Sequence, residues 1–373
     1  MPTATRGAVG IMLLGALLAQ APLAQTAIAY QTSSPTAAPR IAAPTKLPAA
    51  RSWNDVVRQV SATSPQSASL RASAAKETTP VVRCFKLEAE NYCLGLGFVD
   101  KLPTAAKISA AATAPAMKTA DSPTGALSPS DFVAERASMS DQARLNAELA
   151  EMWTAWAGRD KARSLRTAGA FATPVVTKLA SAMIALAVRT PPAQFAMMGG
   201  YVTSQERGHW CGPATFQSID WADDKRKDPQ ASVAKYLGTT RAGTSISAMV
   251  RQTNLKTNWD IAAGTYIVQS VSGWTAQKFF AVHQKHLGDG TGAPVIEHVQ
   301  LLKRYFPYLA FNHSGHFQVG RAYSKTKGTI GIFEVFNERR FNRRGHVTNG
   351  AKNIPASALF NATLANRFKN IGL

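Results

Sequence analysis

Acidic side chains are scarce in this sequence. Its 373 residues include 22 Asp and Glu against 42 Lys and Arg, which gives a formal net charge of +20. So large a positive excess is expected to keep the protein near anionic polymers or lipid head groups. The basic residues are scattered and no aromatic-interleaved motif accompanies them, so the sequence does not favour nucleic-acid binding. The densest basic cluster, Arg339, Arg340, Arg343 and Arg344, is interpreted as solvated surface.

Long apolar runs are also missing beyond residue 30. No later stretch reaches the roughly 18 uninterrupted apolar residues that a membrane helix needs, so a soluble mature chain without a transmembrane segment is predicted. Residues 1–29 have the features of a signal peptide: Arg6, an apolar run from Ala8 to Ala19, and a small-residue cleavage signal that ends at Ala29. We therefore expect a secreted or cell-surface protein, with an anionic cell-wall polymer as one partner.

Cysteine is nearly absent, with three in the chain. Cys84 and Cys93 are nine positions apart, a spacing that a small hairpin can bridge in an oxidising compartment. That pairing leaves Cys211 over. An odd cysteine in an exported protein is either an intermolecular linker or a reactive thiol, and the count alone leaves both open.

The composition divides the chain unevenly. Long stretches of Ala, Ser, Thr and Pro cannot bury enough apolar surface to offset the entropy of ordering, so they are predicted to be linkers. No internal repeat is found. The predicted order is a signal peptide (1–29), a disordered linker (30–80), a disulfide-tied hairpin (81–100), a second linker (101–127), a helical segment (128–190) and a compact domain (195–373).

The compact domain is predicted to be α+β, because helical patterns come first and strand patterns follow. Capping and termination signals mark the helices and alternating apolar residues mark the strands. The predicted helices follow Cys211 and span 229–237, 245–252 and 274–287, and the predicted strands span 294–299, 317–323 and 329–336.

Cys211 lies in the stretch Gln-Glu-Arg-Gly-His-Trp-Cys-Gly-Pro at 205–213. Pro213 suits the first turn of a helix, and a helix N-terminus favours the thiolate that a nucleophile requires. The main-chain N–H of Cys211 and the side-chain amide of Gln205 could together stabilise an oxyanion. The simpler interpretation, a small buried apolar residue, stays open from this stretch alone.

A nucleophilic thiol needs a base, and three histidines compete for that role: His209, His313 and His316. The polar turn 324–328 joins the last two predicted strands. If this turn centres between Thr326 and Lys327, His316 lies opposite Asn337, whose amide would orient the ring. Glu334 then points to the other face of the sheet unless a β-bulge intervenes. His316 is therefore the predicted base.

Several short motifs occur in an order that resembles the C39-like family of papain-fold cysteine peptidases. They are Gln205, Cys-Gly-Pro-Ala-Thr at 211–215, Leu-Gly-Thr-Thr at 237–240, Gly-Thr-Ser at 243–245, Ala-Pro-Val-Ile at 293–296 and Gly-His-Phe at 315–317. The resemblance covers about residues 200–345. It implies Cys211 as nucleophile, His316 as general base and acid, Gln205 as oxyanion donor and Asn337 as the histidine orienter, with no metal or cofactor.

This chain departs from the family where members usually carry Asp-Pro and it has Asn337-Glu338. The resemblance nevertheless predicts a hydrolase that cleaves amide bonds in a peptide or protein substrate. Two alternatives remain: an acyl transferase that uses the same residues, and an inactive cell-surface binding module that keeps only the fold.

Overall fold

The computed structural model describes residues 52–66, 70, 81–113, 124–170, 191–288 and 292–373, with the backbone alone for 161–170. The predicted signal peptide and residues 171–190 of the predicted helical segment lie outside these residues. The described part of the chain is a mixed α+β structure, as the order of sequence patterns predicted.

One sheet of ten strands organises the described residues. Its strand order is β1-β2-β3-β5-β10-β6-β7-β8-β9, and β4 pairs with the C-terminal part of β7. All pairs are antiparallel except β3 with β5. The strands are β1 (Cys84–Leu87), β2 (Glu90–Cys93), β3 (Gly97–Val99), β4 (Gln194–Ala196), β5 (Val268–Ser270), β6 (Val295–Gln300), β7 (Gly315–Ser324), β8 (Thr329–Glu334), β9 (Gly350–Pro355) and β10 (Asn370–Gly372).

Helices pack on this sheet and on one another. Those of the described residues are α1 (Trp53–Thr63), α2 (Ala105–Thr113), α3 (Pro129–Ser138), α4 (Asp141–Ala170), α5 (Cys211–Asp224), α6 (Gln230–Tyr236), α7 (Ile246–Lys256), α8 (Trp259–Ala263), α9 (Ala276–Gly288), α10 (Glu338–Phe341) and α11 (Ala356–Ala365). None of them combines the length and the apolar content that crossing a bilayer requires.

The predicted helices and strands between 211 and 336 are present. Ser245 caps α7 by accepting a hydrogen bond from the Ala248 N–H, which agrees with the predicted start of that helix. Helix α5 lies against β7, where the Thr215 hydroxyl donates to the Phe317 carbonyl oxygen at 3.0 Å. This contact fixes Cys211, at the start of α5, relative to His316, at the start of β7.

The predicted disulfide is confirmed. Cys84 and Cys93 face each other in the hairpin β1–β2 and are bonded, and Cys211 is free. The hairpin is not a separate unit, however. It continues into β3, which pairs with β5 of the main sheet through Phe98 and Gln269. Local pattern showed the hairpin but not the distant strand it joins.

Two stretches that the composition predicted to be linkers contain helices, α1 and α2. In α1 the residues Val56 and Val60 are four positions apart and fully buried. Trp53 packs against Trp153 and Trp156 of α4, with ring centroids 4.9 and 5.8 Å away. A few apolar residues at helical spacing therefore order a segment whose average composition is polar.

The register of β7 and β8 changes part of the way along the pair. Near the turn, Ser324 pairs with Thr329 and Tyr323 with Ile330, as predicted. A β-bulge between Gly320 and Ala322 then inserts one extra residue on β7, so that Gly320 pairs with Ile332. Because side chains alternate between the faces of a strand, one inserted residue reverses the face of everything beyond it.

Candidate active site

Cys211 is the first residue of α5 and is fully buried. The preceding residue, Trp210, provides no side-chain cap, so the first N–H groups of the helix remain available to a ligand. Gly212 leaves no room for a side chain, because a Cβ there would collide with Thr244. The first N–H groups of α5 therefore have no side-chain cap, while the side of the helix at Gly212 packs tightly against Thr244.

His316 lies beside Cys211 and is also fully buried. Its Nε2 is 2.6 Å from Oε1 of Glu334. Its Nδ1 has no partner with hydrogen-bond geometry in the described residues. Burial opposes the charged form of the ring, but Glu334 and the Cys211 thiol outweigh burial and raise the pKa of His316 to about 10. The ring is therefore protonated at neutral pH.

Glu334 is held by more than the histidine. Its Oε1 also accepts the Phe336 N–H at 2.8 Å, and its Oε2 accepts the Tyr308 hydroxyl at 2.7 Å and the Gln318 amide at 2.6 Å. Burial raises the pKa of this carboxyl, yet His316 and the hydrogen bonds lower it by more, so the net shift is downward. A buried carboxylate with four donors is fixed in position and charged.

The predicted pairing of His316 with Asn337 is corrected by this geometry. The last pair past the bulge is Val319 with Phe333, and the same register continued places His316 near Phe336, whose ring centroid is 6.2 Å from the imidazole. It also puts Glu334 on the same face as His316. The Asn337 side chain does not cap α10, and its buried Oδ1 has no hydrogen-bond partner. Glu334 therefore makes the contact with the His316 ring that the unshifted register assigned to Asn337.

Gln205 is near the site but its amide is engaged elsewhere. Its main-chain N–H donates to the Val335 carbonyl oxygen at 2.8 Å, and its side-chain nitrogen donates to the carbonyl oxygens of Arg207 and Gly208 at 3.0 and 2.9 Å. The buried Oε1 has no partner. In this arrangement Gln205 supports the loop that leads to Cys211.

The other candidate bases have different surroundings. His313 is buried and its Nε2 is 2.7 Å from Oε1 of Glu338. His209 is partly exposed beside Trp210, and burial together with Arg207 and Arg241 lowers its pKa. Of the three predicted candidates, His316 is the one that lies beside the Cys211 thiol.

A short piece of the N-terminal half crosses this site. Residues Thr124–Leu127, hereafter the strap, are all buried and run between the two walls that carry Cys211 and His316. Ala126 forms a parallel bridge with Thr244 on one wall, and its N–H donates to the Gly315 carbonyl oxygen at 3.1 Å on the other. No sequence pattern indicates this contact, because the strap is short and weakly apolar.

The sequence pattern admits Glu334 only if a β-bulge intervenes, and it does not indicate the supporting side chains Tyr308 and Gln318. The signal that could have found them is Gly320, since a glycine inside a strand often marks a bulge. Here a Cβ at Gly320 would collide with Glu297 on β6.

The described residues contain no group of three or more His, Cys, Asp or Glu side chains that could hold a metal ion. No protein-family model matches the chain, and a search of curated proteins found no match. The site therefore has to be interpreted from its own geometry.

Proposed function

We propose that this chain is an exported cysteine hydrolase that cleaves amide bonds in peptides or proteins. One observation carries the proposal: a free thiol at the uncapped start of α5 lies beside a buried histidine that is charged and held by a buried carboxylate. A cation and a helix N-terminus beside a sulfur both favour the nucleophilic thiolate.

The proposed reaction has two steps. Cys211 Sγ attacks the substrate carbonyl carbon, and His316 gives its proton to the leaving amine as the carbon–nitrogen bond breaks. The neutral ring then takes a proton from water, which attacks the thioester and releases the carboxylic acid and the Cys211 thiolate, so that the thiolate–imidazolium pair is restored. Glu334 keeps the ring oriented and stabilises its charged form throughout.

The oxyanion formed in each step needs hydrogen-bond donors. The main-chain N–H of Cys211, at the start of α5, is the first donor. We assign the second to Gln205, on the condition that its amide nitrogen exchanges a loop carbonyl, that of Arg207 or Gly208, for the substrate oxygen.

The arrangement of elements supports the resemblance to C39-like, papain-fold peptidases. The nucleophile begins a helix, and the base begins a strand of the antiparallel sheet on which that helix packs. The difference from the expected Cys-His-Asn set is the carboxylate of Glu334. A carboxylate stabilises imidazolium more strongly than an amide does, which suits a thiolate–imidazolium pair.

A second candidate function is favoured by one observation. Cys211 and His316 are both fully buried, so the site in this conformation has no open path to substrate. An inactive binding module would show the same burial. A free thiol at a helix start, beside a histidine that a buried carboxylate keeps charged, would serve no purpose in such a module, and the hydrolase is therefore the stronger proposal.

The test is hydrolysis of fluorescence-quenched peptides by the mature chain opened at its N-terminal segment by Gly125→Ala, as described below, and by the same chain with Cys211→Ala. Turnover that disappears in Cys211→Ala, together with a covalent adduct of a peptidyl chloromethyl ketone on Cys211, supports the hydrolase. If Cys211 resists the ketone even after the strap has been displaced, as described below, the binding module is the better account.

A further inference from the structure

The strap is positioned where an extended peptide would have to lie to reach Cys211. On one side, the Thr244 N–H donates to the Gly125 carbonyl oxygen at 2.9 Å, and the Leu127 N–H donates to the Thr244 carbonyl oxygen at 3.1 Å. On the other side, the Ala126 N–H donates to Gly315. The strap is therefore the middle of three hydrogen-bonded segments, and its neighbours are the residues around the proposed catalytic pair.

The strap lies close to both members of the proposed catalytic pair, His316 and Cys211. Gly315 directly precedes His316 in the chain. Gly125 packs against the main chain of His209, two residues before Cys211, so closely that any Cβ there would collide with it. Ala126 belongs to the same buried cluster as Cys211.

Side chains reinforce the attachment. The Thr124 hydroxyl donates to the carbonyl oxygens of Ser314 and Gly315 at 3.0 and 2.8 Å, and the Thr124 N–H donates to the Ser314 hydroxyl at 2.7 Å. Thr124 is fully buried. Every polar group of this residue that faces the site is thus satisfied by the two residues before His316.

The downstream end of the strap is tied to the N-terminal helices. Ser128 follows immediately and opens α3 with a capping box, in which it exchanges hydrogen bonds with Asp131. Further along α3, Arg136 forms an ion pair with Glu151 of α4 at 3.3 Å. Movement of α3 would therefore pull on the strap.

We propose that the strap is an internal inhibitor: it occupies the peptide-binding cleft, and the site opens to substrate when the strap leaves it. The inhibitory role of the strap rests on the proposed function, but its position between Thr244 and Gly315 does not. Two consequences follow for substrates. They bind extended between Thr244 and Gly315, and they carry a very small residue where Gly125 now meets the His209 main chain.

The test uses the mature chain with the substitution Gly125→Ala. Gly125 has a φ of +98°, so alanine is disfavoured there both by its conformation and by the collision with His209. Gly200→Ala is the matched control, because Gly200 also has a positive φ, +83°, but an added Cβ meets nothing within 4 Å. Iodoacetamide reports access to Cys211, and mass spectrometry locates the adduct and shows whether the chain is intact.

With the strap displaced, Gly125→Ala should be alkylated at Cys211 about tenfold faster or more, since a tenfold change needs only a modest shift in the opening equilibrium. Gly200→Ala should react at the wild-type rate. A folded Gly125→Ala that reacts no faster than the control overturns the proposal. So does a wild-type chain that hydrolyses peptides while the strap is uncut and still in place by hydrogen exchange.

Thr124→Val is the second variant, in case Gly125→Ala does not fold. It keeps the shape of the side chain and removes its two hydrogen bonds, so faster alkylation is again expected and an unchanged rate contradicts the strap. The two proposals fail in different ways. Fast alkylation without peptide turnover in either variant overturns the hydrolase and leaves the strap standing, whereas turnover by the closed wild type does the reverse.

Discussion

Two buried His–Glu pairs lie at the same end of the sheet, and their surroundings differ. His316 and Glu334 are 2.6 Å apart, and His313 and Glu338 are 2.7 Å apart. The remaining bonds of the two carboxylates differ. Glu334 accepts from the side chains of Tyr308 and Gln318 and from one main-chain N–H, that of Phe336, whereas Glu338 accepts three main-chain N–H groups, those of Ala310, Phe311 and His346.

His316 and Glu334 form the proposed base and its partner, whereas His313 and Glu338 form a structural contact between loops, hereafter the clamp. A carboxylate that gathers N–H groups from two loops holds those loops together, and its histidine completes the set. A carboxylate held by other side chains, beside a histidine that contacts a thiol, tunes a reactive group. A buried His–Glu pair is therefore no sign of catalysis in itself. What distinguishes the two pairs is a third group beside the histidine, here the Cys211 thiol.

The largest expected effect sharpens this contrast at the histidines. His316→Ala should reduce peptide turnover by about 10²-fold or more, because it removes the proton donor and acceptor of both steps. His313→Ala should keep turnover per folded molecule and lower the melting temperature. The measurement, here and for the variants below, is kcat for a quenched peptide in the open Gly125→Ala background, beside a thermal melt of each variant. Equal losses of kcat would mean that the clamp also takes part in the chemistry.

The second prediction concerns the charge on Glu334. Glu334→Gln removes the negative partner that raises the pKa of His316, so the pKa should fall from about 10 toward its ordinary value. The imidazolium is then lost at lower pH, and the alkaline limb of the pH–rate profile should move downward. We expect turnover at its optimum to drop by about tenfold or more, although by less than in His316→Ala.

The control is Glu338→Gln, which changes the same atom types in the other pair. It should leave the alkaline limb where it is. An alkaline limb that stays fixed in Glu334→Gln would show that Glu334 does not set the charge of the catalytic ring.

The third prediction concerns the clamp. Glu338→Ala leaves three main-chain donors and His313 without their acceptor, and an unsatisfied buried donor costs about 1–3 kcal/mol of the free energy of unfolding. Denaturant unfolding should therefore show a loss of that order or more. Alkylation of Cys211 under native conditions should change far less. If stability is unaffected, the loops around Glu338 are held by other contacts.

Much of this contrast was accessible from the sequence. Residue types, capping signals and alternation correctly predicted α5, the strands that carry His316 and Glu334, and the disulfide of Cys84 and Cys93. The choice between Glu334 and Asn337 could not be predicted from the sequence, because it depends on the one extra residue that the bulge inserts in β7. Once an inserted residue has shifted the register, the alternation of side chains along the strand no longer predicts which face each one occupies.

Long-range contacts were the other limit. The pairing of β3 with β5 and the contact of the strap with Thr244 and Gly315 join residues more than a hundred positions apart. Main-chain hydrogen bonds make these contacts, and such bonds leave little mark on side-chain type. Composition therefore assigned both the hairpin and the strap to regions outside the main domain.

The smallest expected effect tests the corrected register. The Asn337 side chain neither caps α10 nor has a partner for its Oδ1, so Asn337→Ala should change turnover less than twofold and the free energy of unfolding by about 0.5 kcal/mol or less. Asn337→Asp is the sharper version. Under the unshifted register a carboxylate there would face His316, raise the pKa of the ring and move the alkaline limb upward. With Glu334 already in that place, the limb should stay fixed. An upward shift would mean that the bulge in β7 is absent from the working enzyme, and that Asn337, not Glu334, orients the histidine.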